Sequence, residues 1–122
     1  MTEPAITREI FDRLRLSTAR TPEVLTELCR DYLMEARLTI EQLRGAVAAQ
    51  DAGMLRDRAH YLKGSSMMIG AGALSHCCAT LEQMGRNSEM NTAGAMLEQT
   101  ISALQAVEAA LAQELGTAVL RP

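Results

Sequence analysis

His60, Lys63 and Gly64 sit three and four residues apart in the run Ala59-His60-Tyr61-Leu62-Lys63-Gly64-Ser65-Ser66, a spacing that stacks all three on one face of a helix. The inward positions of that helix, Leu55, Ala59, Leu62, Ser66 and Ile69, alternate steps of four and three, and this seam centres about 140° away from His60. The imidazole therefore points outward. Arg56, Gly64 and Met67 project within about 40° of it, and Asp57 and Lys63 within about 60°. An imidazole with a reference pKa of about 6.5 is available as a neutral nucleophile near pH 7 without a dedicated base. A glycine inside a helix costs about 1 kcal/mol relative to alanine. On a solvated face it has one evident use, which is to clear space around the ring for a bulky partner. Lys63 can reach the same opening with a mobile positive charge suited to phosphate. Blander readings stand beside these: a surface histidine as decoration, Lys63 as a solvated charge, and Gly64 as a point of close helix approach.

Other chemistries lack their parts. No G-x-x-x-x-G-K-[ST] loop occurs, and Gly70-Ala71-Gly72 is followed by Ser75 where a dinucleotide fingerprint needs its third glycine. No cluster with metal-ligand spacing is visible: His76 neighbours Cys77, but Thr80 occupies the i+4 position where a second ligand would stand. No metal site and no bound cofactor are expected. Cys29, Cys77 and Cys78 make an odd count without C-x-x-C spacing, and are read as buried reduced thiols. Ser66 falls on the inward seam, where its hydroxyl is expected to bond a backbone carbonyl.

The elements that must position His60 are helical. Thr21-Pro22-Glu23 reads as a hydroxyl N-cap, a proline at the first helical position and an acid in the first turn. The helix it opens runs to Gln50, with Leu25, Cys29, Tyr32, Ala36, Ile40, Leu43 and Val47 as its buried stripe. Asp51 caps the helix bearing His60, and Gly70-Ala71-Gly72 ends it. Leu74, Cys78 and Leu81 mark a third helix that fades near Gly85-Arg86-Asn87. Ser88 or Asn91 opens the last, carried by Leu97, Ile101, Leu104, Leu111 and Leu115, with Val107 and Glu108 sharing one step. Residues 5–16 form a further short helix, with Ile6, Ile10, Phe11 and Leu14 on one side. The pattern predicts an all-α fold: an antiparallel four-helix bundle with an additional short N-terminal helix. It forms a single domain over 1–122, with a lead-in and first helix over 1–20, the bundle over 21–116 and a tail over 117–122.

Composition agrees and narrows the function. Of 122 residues 48% are hydrophobic, but there is one Phe, two Tyr and no Trp, so Ala, Leu and Met carry the apolar load, as suits helices. The net charge of −3 offers no positive field for nucleic acid. No stretch is long and apolar enough to span a membrane, and Met1-Thr2-Glu3-Pro4 does not read as a signal peptide, so a cytoplasmic location is expected. Locally, Arg56 and Lys63 surround His60, with Arg58 farther round the helix and Arg86 near its end. This is a surface that would attract an acidic pocket, and Met67 is an adaptable apolar contact within it.

The run from Ala59 to Ser66 resembles the H-x-L-K-G-S-S signature of histidine-containing phosphotransfer (HPt) domains. Downstream, Ile69-Gly70-Ala71, Leu74, Cys78 and Leu81-Glu82 resemble a second block of that family at the same offsets. The likeness in helix order covers roughly residues 5–115. Met67, Met68 and His76-Cys77 depart from the pattern in ways that bear on partner choice. The resemblance implies that His60 is the phosphoacceptor, that Lys63 lies beside the phosphoryl group and that Gly64 keeps the docking face open. Glu82 stands where some members place a polar group that holds the unphosphorylated ring nitrogen, and Asp57, one turn before His60, competes for that role. The implied function is a carrier in a two-component phosphorelay, not an enzyme with its own ATP or metal site. His60 would accept phosphoryl from an aspartyl-phosphate receiver domain, such as that of a hybrid histidine kinase. It would then pass the group to a response regulator receiver, with Mg²⁺ expected on the partner and the chain itself a monomer. Two other readings remain at this point: an adaptor that binds a receiver without being phosphorylated, and a small helical enzyme using His60 as general base.

Overall fold

The computed structural model describes residues 3–121; the lead-in at Met1 and Thr2 and the last tail residue, Pro122, lie outside them. Five α-helices follow in order: α1 (Arg8–Ser17), α2 (Pro22–Ala48), α3 (Ala52–Met68), α4 (Gly72–Arg86) and α5 (Ala93–Leu115), then a 3-10 turn over Thr117–Leu120. The four longer helices form a ring of contacts, α2 on α3 and α5, and α4 on α3 and α5. Within it Leu33, Leu43, Leu55, Leu62, Leu74, Leu81 and Leu111 are fully enclosed. The stripe of α3 is the one expected: Leu55, Ala59, Leu62, Ser66 and Ile69 are all buried.

Backbone chemistry sets the helix ends. Pro22 stands in the first turn of α2 with Glu23 beside it, while the Thr21 hydroxyl makes no capping bond; the pyrrolidine has φ already fixed and no N–H to satisfy. Asp51 caps α3 as predicted, its carboxylate accepting from the Met54 amide at 3.0 Å. Helices α2, α3 and α4 each end in a paired hydrogen-bond closure around a residue of positive φ: Gln50, Gly70 and Ser88. Only the middle one demands glycine, because a Cβ on Gly70 would lie 3.1 Å from Ile10 Cβ and 3.2 Å from the Thr7 carbonyl oxygen.

Several sequence expectations need correction. Ser88 does not open the last helix; its amide bonds the Gly85 carbonyl and that of Glu89 bonds Met84, which closes α4. Asn91 lies in a turn, and α5 begins after Thr92. Helix α1 starts at Arg8 rather than residue 5, because the Thr7 amide donates across to the Gly70 carbonyl at 2.7 Å instead of joining a helical turn. Val47, Ile101 and Leu115 are only half-buried. The inward places go instead to Ala46 in α2 and Thr100 in α5, while of the two residues expected to share a step Val107 is the one buried. Thr100 is tolerated there because its hydroxyl donates back to Met96 O at 2.8 Å. The Ser66 hydroxyl pairs with the Tyr32 hydroxyl at 2.7 Å, not with a carbonyl, because the α2 stripe brings a phenol against it. Beyond α5, Val119 is 1% exposed and joins the core.

Gly85 marks a close approach of α4 to α3. A Cβ there would lie 2.7 Å from both Ala52 O and Arg56 N, so α4 presses directly on the backbone of α3. We expect Gly85→Ala to destabilise the fold by about 1–3 kcal/mol through overpacking. Gly64→Ala, whose Cβ would meet nothing within 4 Å, should be neutral or stabilise by up to about 1 kcal/mol through helix propensity. Denaturant unfolding of the two variants checks the contrast.

Candidate functional site

The close contact of α3 with α4 places Glu82 under His60. The Glu82 side chain is 4% exposed, while His60 is 67% exposed. The ring Nδ1 lies 3.1 Å from Glu82 Oε2, Lys63 Nζ donates to Oε1 at 2.6 Å, and Arg86 donates to Oε2 at 2.7 Å. A buried carboxylate is costly unless paired and hydrogen-bonded, and here three donors from two helices meet that need. The Lys63 bond above all, with a smaller contribution from the His60 bond, outweighs burial and holds the Glu82 carboxyl below its ordinary value of 4.5. Glu82 is therefore an anion facing Nδ1, which directs the Nδ1 proton towards the carboxylate and leaves Nε2 with its lone pair towards solvent.

Of the two carboxylates considered for the ring, the structure brings Glu82 to it and leaves Asp57 away, paired with Arg56 at 3.2 Å. Arg56, Asp57, His60, Glu82 and Arg86 line a shallow depression of about 270 Å³. Gly64 is exposed and faces open space; the role of helix spacer belongs to Gly85. Met67 stands 58% exposed on the same side of the domain as His60, and Met68 is 74% exposed. Arg58 turns away to stack on the Tyr61 ring at 5.2 Å. Arg86, expected only as a cation near the end of its helix, takes a direct part by pairing with Glu82. The signal available was its i+4 spacing from Glu82 on α4, the arrangement in which an acid and a base meet on a helix.

Elsewhere, Cys29 and Cys78 are buried as expected, and burial pushes their thiols up to about 11 and about 12, far from nucleophilic. Cys77 is only half-buried, a departure from the sequence reading that follows from its place beside, rather than on, the inward stripe of α4. Among the described residues no three His, Cys, Asp or Glu side chains converge as a metal-binding set, and no helix is long and apolar enough to cross a membrane.

An all-helical domain that presents an imidazole to solvent, braces it from below with a buried carboxylate and flanks it with cations has the form of a histidine phosphotransfer module. Comparison with known proteins agrees. The model of the Hpt domain family matches residues 27–114, and the chain belongs to that family. The crystal structure of histidine-containing phosphotransfer protein B (HptB) from Pseudomonas aeruginosa PAO1 superposes with a TM-score of 0.84 at 26% identity, over 93% of this chain and 96% of that one. No curated protein matches the chain by sequence. Its role is phosphotransfer in a two-component phosphorelay.

The ionised Glu82 also makes acid stability a report on the site. A carboxyl held below its ordinary value contributes stability that is full above the unfolded-state value near 4.5 and is lost as pH falls through the lower folded-state value. Wild type should therefore lose stability more steeply than Glu82→Gln as pH falls below about 5. Urea unfolding at stepped pH checks this, and parallel curves would contradict it.

Proposed function

We propose that His60 is the phosphoacceptor and that the chain is a monomeric cytoplasmic carrier without an ATP or metal site of its own. The observation that carries this reading is the division of the ring: Nδ1 is held at 3.1 Å by a buried carboxylate while the ring is 67% exposed. In the reaction, the Nε2 lone pair attacks the phosphorus of an aspartyl phosphate on a receiver domain. The N–P bond forms as the P–O bond to the aspartate breaks, and that aspartate leaves as a carboxylate. The ring keeps its Nδ1 proton and becomes positively charged, and Glu82 stabilises that charge. The same steps in reverse pass the group to a second receiver. Any Mg²⁺ belongs to the receivers, and the first of them fits the receiver domain of a hybrid histidine kinase. We read the ring of α2 to α5 as an antiparallel four-helix bundle with α1 as its additional short helix, a frame that leaves the α3 face open for docking.

The docking face follows from the same geometry. Open space above Gly64 admits a receiver's aspartate to Nε2, Arg56 faces its acidic pocket, and Met67 supplies apolar contact. A phosphorylated receiver domain should transfer an acid-labile, base-stable label to wild type and none to His60→Gln. Label on the variant, or none on wild type in a competent mixture, would overturn the carrier reading. Met67→Asp should raise the receiver's Kd about tenfold or more with the Tm unchanged; unaltered affinity would remove Met67 from the docking surface.

A further inference from the structure

Glu82 gathers more positive charge than one carboxylate needs. Lys63 and Arg86 both pair with it, so with a neutral ring the cluster carries one positive charge in excess. The two cations differ in kind and placement. Lys63 is the only lysine in the chain. It is a compact charge on a flexible stem, carried on the same helix as His60 and bonded to Oε1, the oxygen that the ring does not use. Arg86 stands on α4, one turn beyond Glu82, and shares Oε2 with the ring.

A phosphoryl group on Nε2 would bring between one and two negative charges to the surface beside Lys63. Lys63 could turn to it only if Glu82 stayed neutralised, because a carboxylate this buried is strongly destabilising once its partners are removed. We propose that Arg86 is a positioning residue that keeps Glu82 paired throughout, so that Lys63 can move from Oε1 to the phosphoryl group on His60. This rests on His60 being the phosphoacceptor. The exchange breaks one ion pair and makes another; Oε2 continues to hold both Arg86 and the Nδ1 proton. Without Arg86, Lys63 stays on the buried carboxylate and the incoming phosphoryl group lacks its nearest cation. The two cations that look redundant in the resting state thus have separate tasks.

The handover differs from a static brace in how variants combine. With phosphoramidate as donor, whose P–N bond breaks as ammonia leaves and the bond to Nε2 forms, phosphohistidine is followed by ³¹P NMR. Arg86→Gln should slow phosphorylation about tenfold, the scale of one charge-assisted hydrogen bond, and Arg86→Lys should retain most of the rate. In Arg86→Gln the lysine ammonium ¹⁵N resonance should stay unmoved on phosphorylation, and adding Glu82→Gln should restore its shift, because an uncharged side chain at 82 no longer retains Lys63 while its amide oxygen still accepts from Nδ1. In wild type the single lysine ammonium ¹⁵N resonance should shift on phosphorylation. An unmoved lysine signal in phosphorylated wild type, an Arg86→Gln rate equal to wild type, or a double variant whose lysine signal stays unmoved on phosphorylation would each overturn the handover and leave the carrier reading standing. Absence of phosphate on wild-type His60 would instead overturn the carrier reading and the handover together. Circular dichroism establishes that each variant is folded, and the lysine measurement on wild type decides the matter where one is not.

Discussion

A carboxylate 4% exposed to solvent cannot be left without donors, and the site follows from that constraint. Removing an ion from water costs several kcal/mol even after the protein relaxes around it. At Glu82 the compensation comes from an ammonium, a guanidinium and an imidazole together. At rest this pairing turns the ring with Nε2 outward and concentrates two cations at its foot. A chain with a net charge of −3 thus carries a local excess of positive charge beside His60.

The fold supplies the distance that makes this possible. Glu82 reaches a ring on the neighbouring helix because α4 lies against the backbone of α3 at Gly85, where no Cβ fits. The tight closure between the two helices keeps them in register. It passes through Gly70 at positive φ, and the Thr7 amide is bonded to the Gly70 carbonyl. Phe11, fully buried, and the pairs of Arg8 and Arg15 with Glu114 hold α1 across the end of the bundle. The site therefore sits on a frame of packed helices rather than on a loop.

Much of this was legible in the sequence because helical periodicity is a local property. The seam of α3 and the outward direction of His60 follow from counting residues, and the Asp51 cap follows from side-chain chemistry at one position. What escaped depends on contacts between segments. Nothing near Ser88 in the chain announces that it will take a positive φ and close α4. The use of Gly85 as the spacer, rather than Gly64, depends on where Ala52 and Arg56 come to lie. Glu82 could be named as a candidate partner for the ring, but its burial, the rejection of Asp57 and the joining of Arg86 are properties of two packed helices. Ser66 and Tyr32, 34 residues apart, make the same point within the core.

An ionised Glu82 fixes which nitrogen of the His60 ring faces solvent. The most direct measurement is the ¹⁵N NMR spectrum of the neutral His60 ring, assigned by its absence in His60→Gln, with His76 as the internal comparison. Wild-type His60 should carry its proton on Nδ1, with Nε2 showing the shift of an unprotonated nitrogen, and Glu82→Ala should move the proton towards Nε2. A wild-type ring protonated on Nε2, or one indifferent to the loss of Glu82, would contradict this role of Glu82.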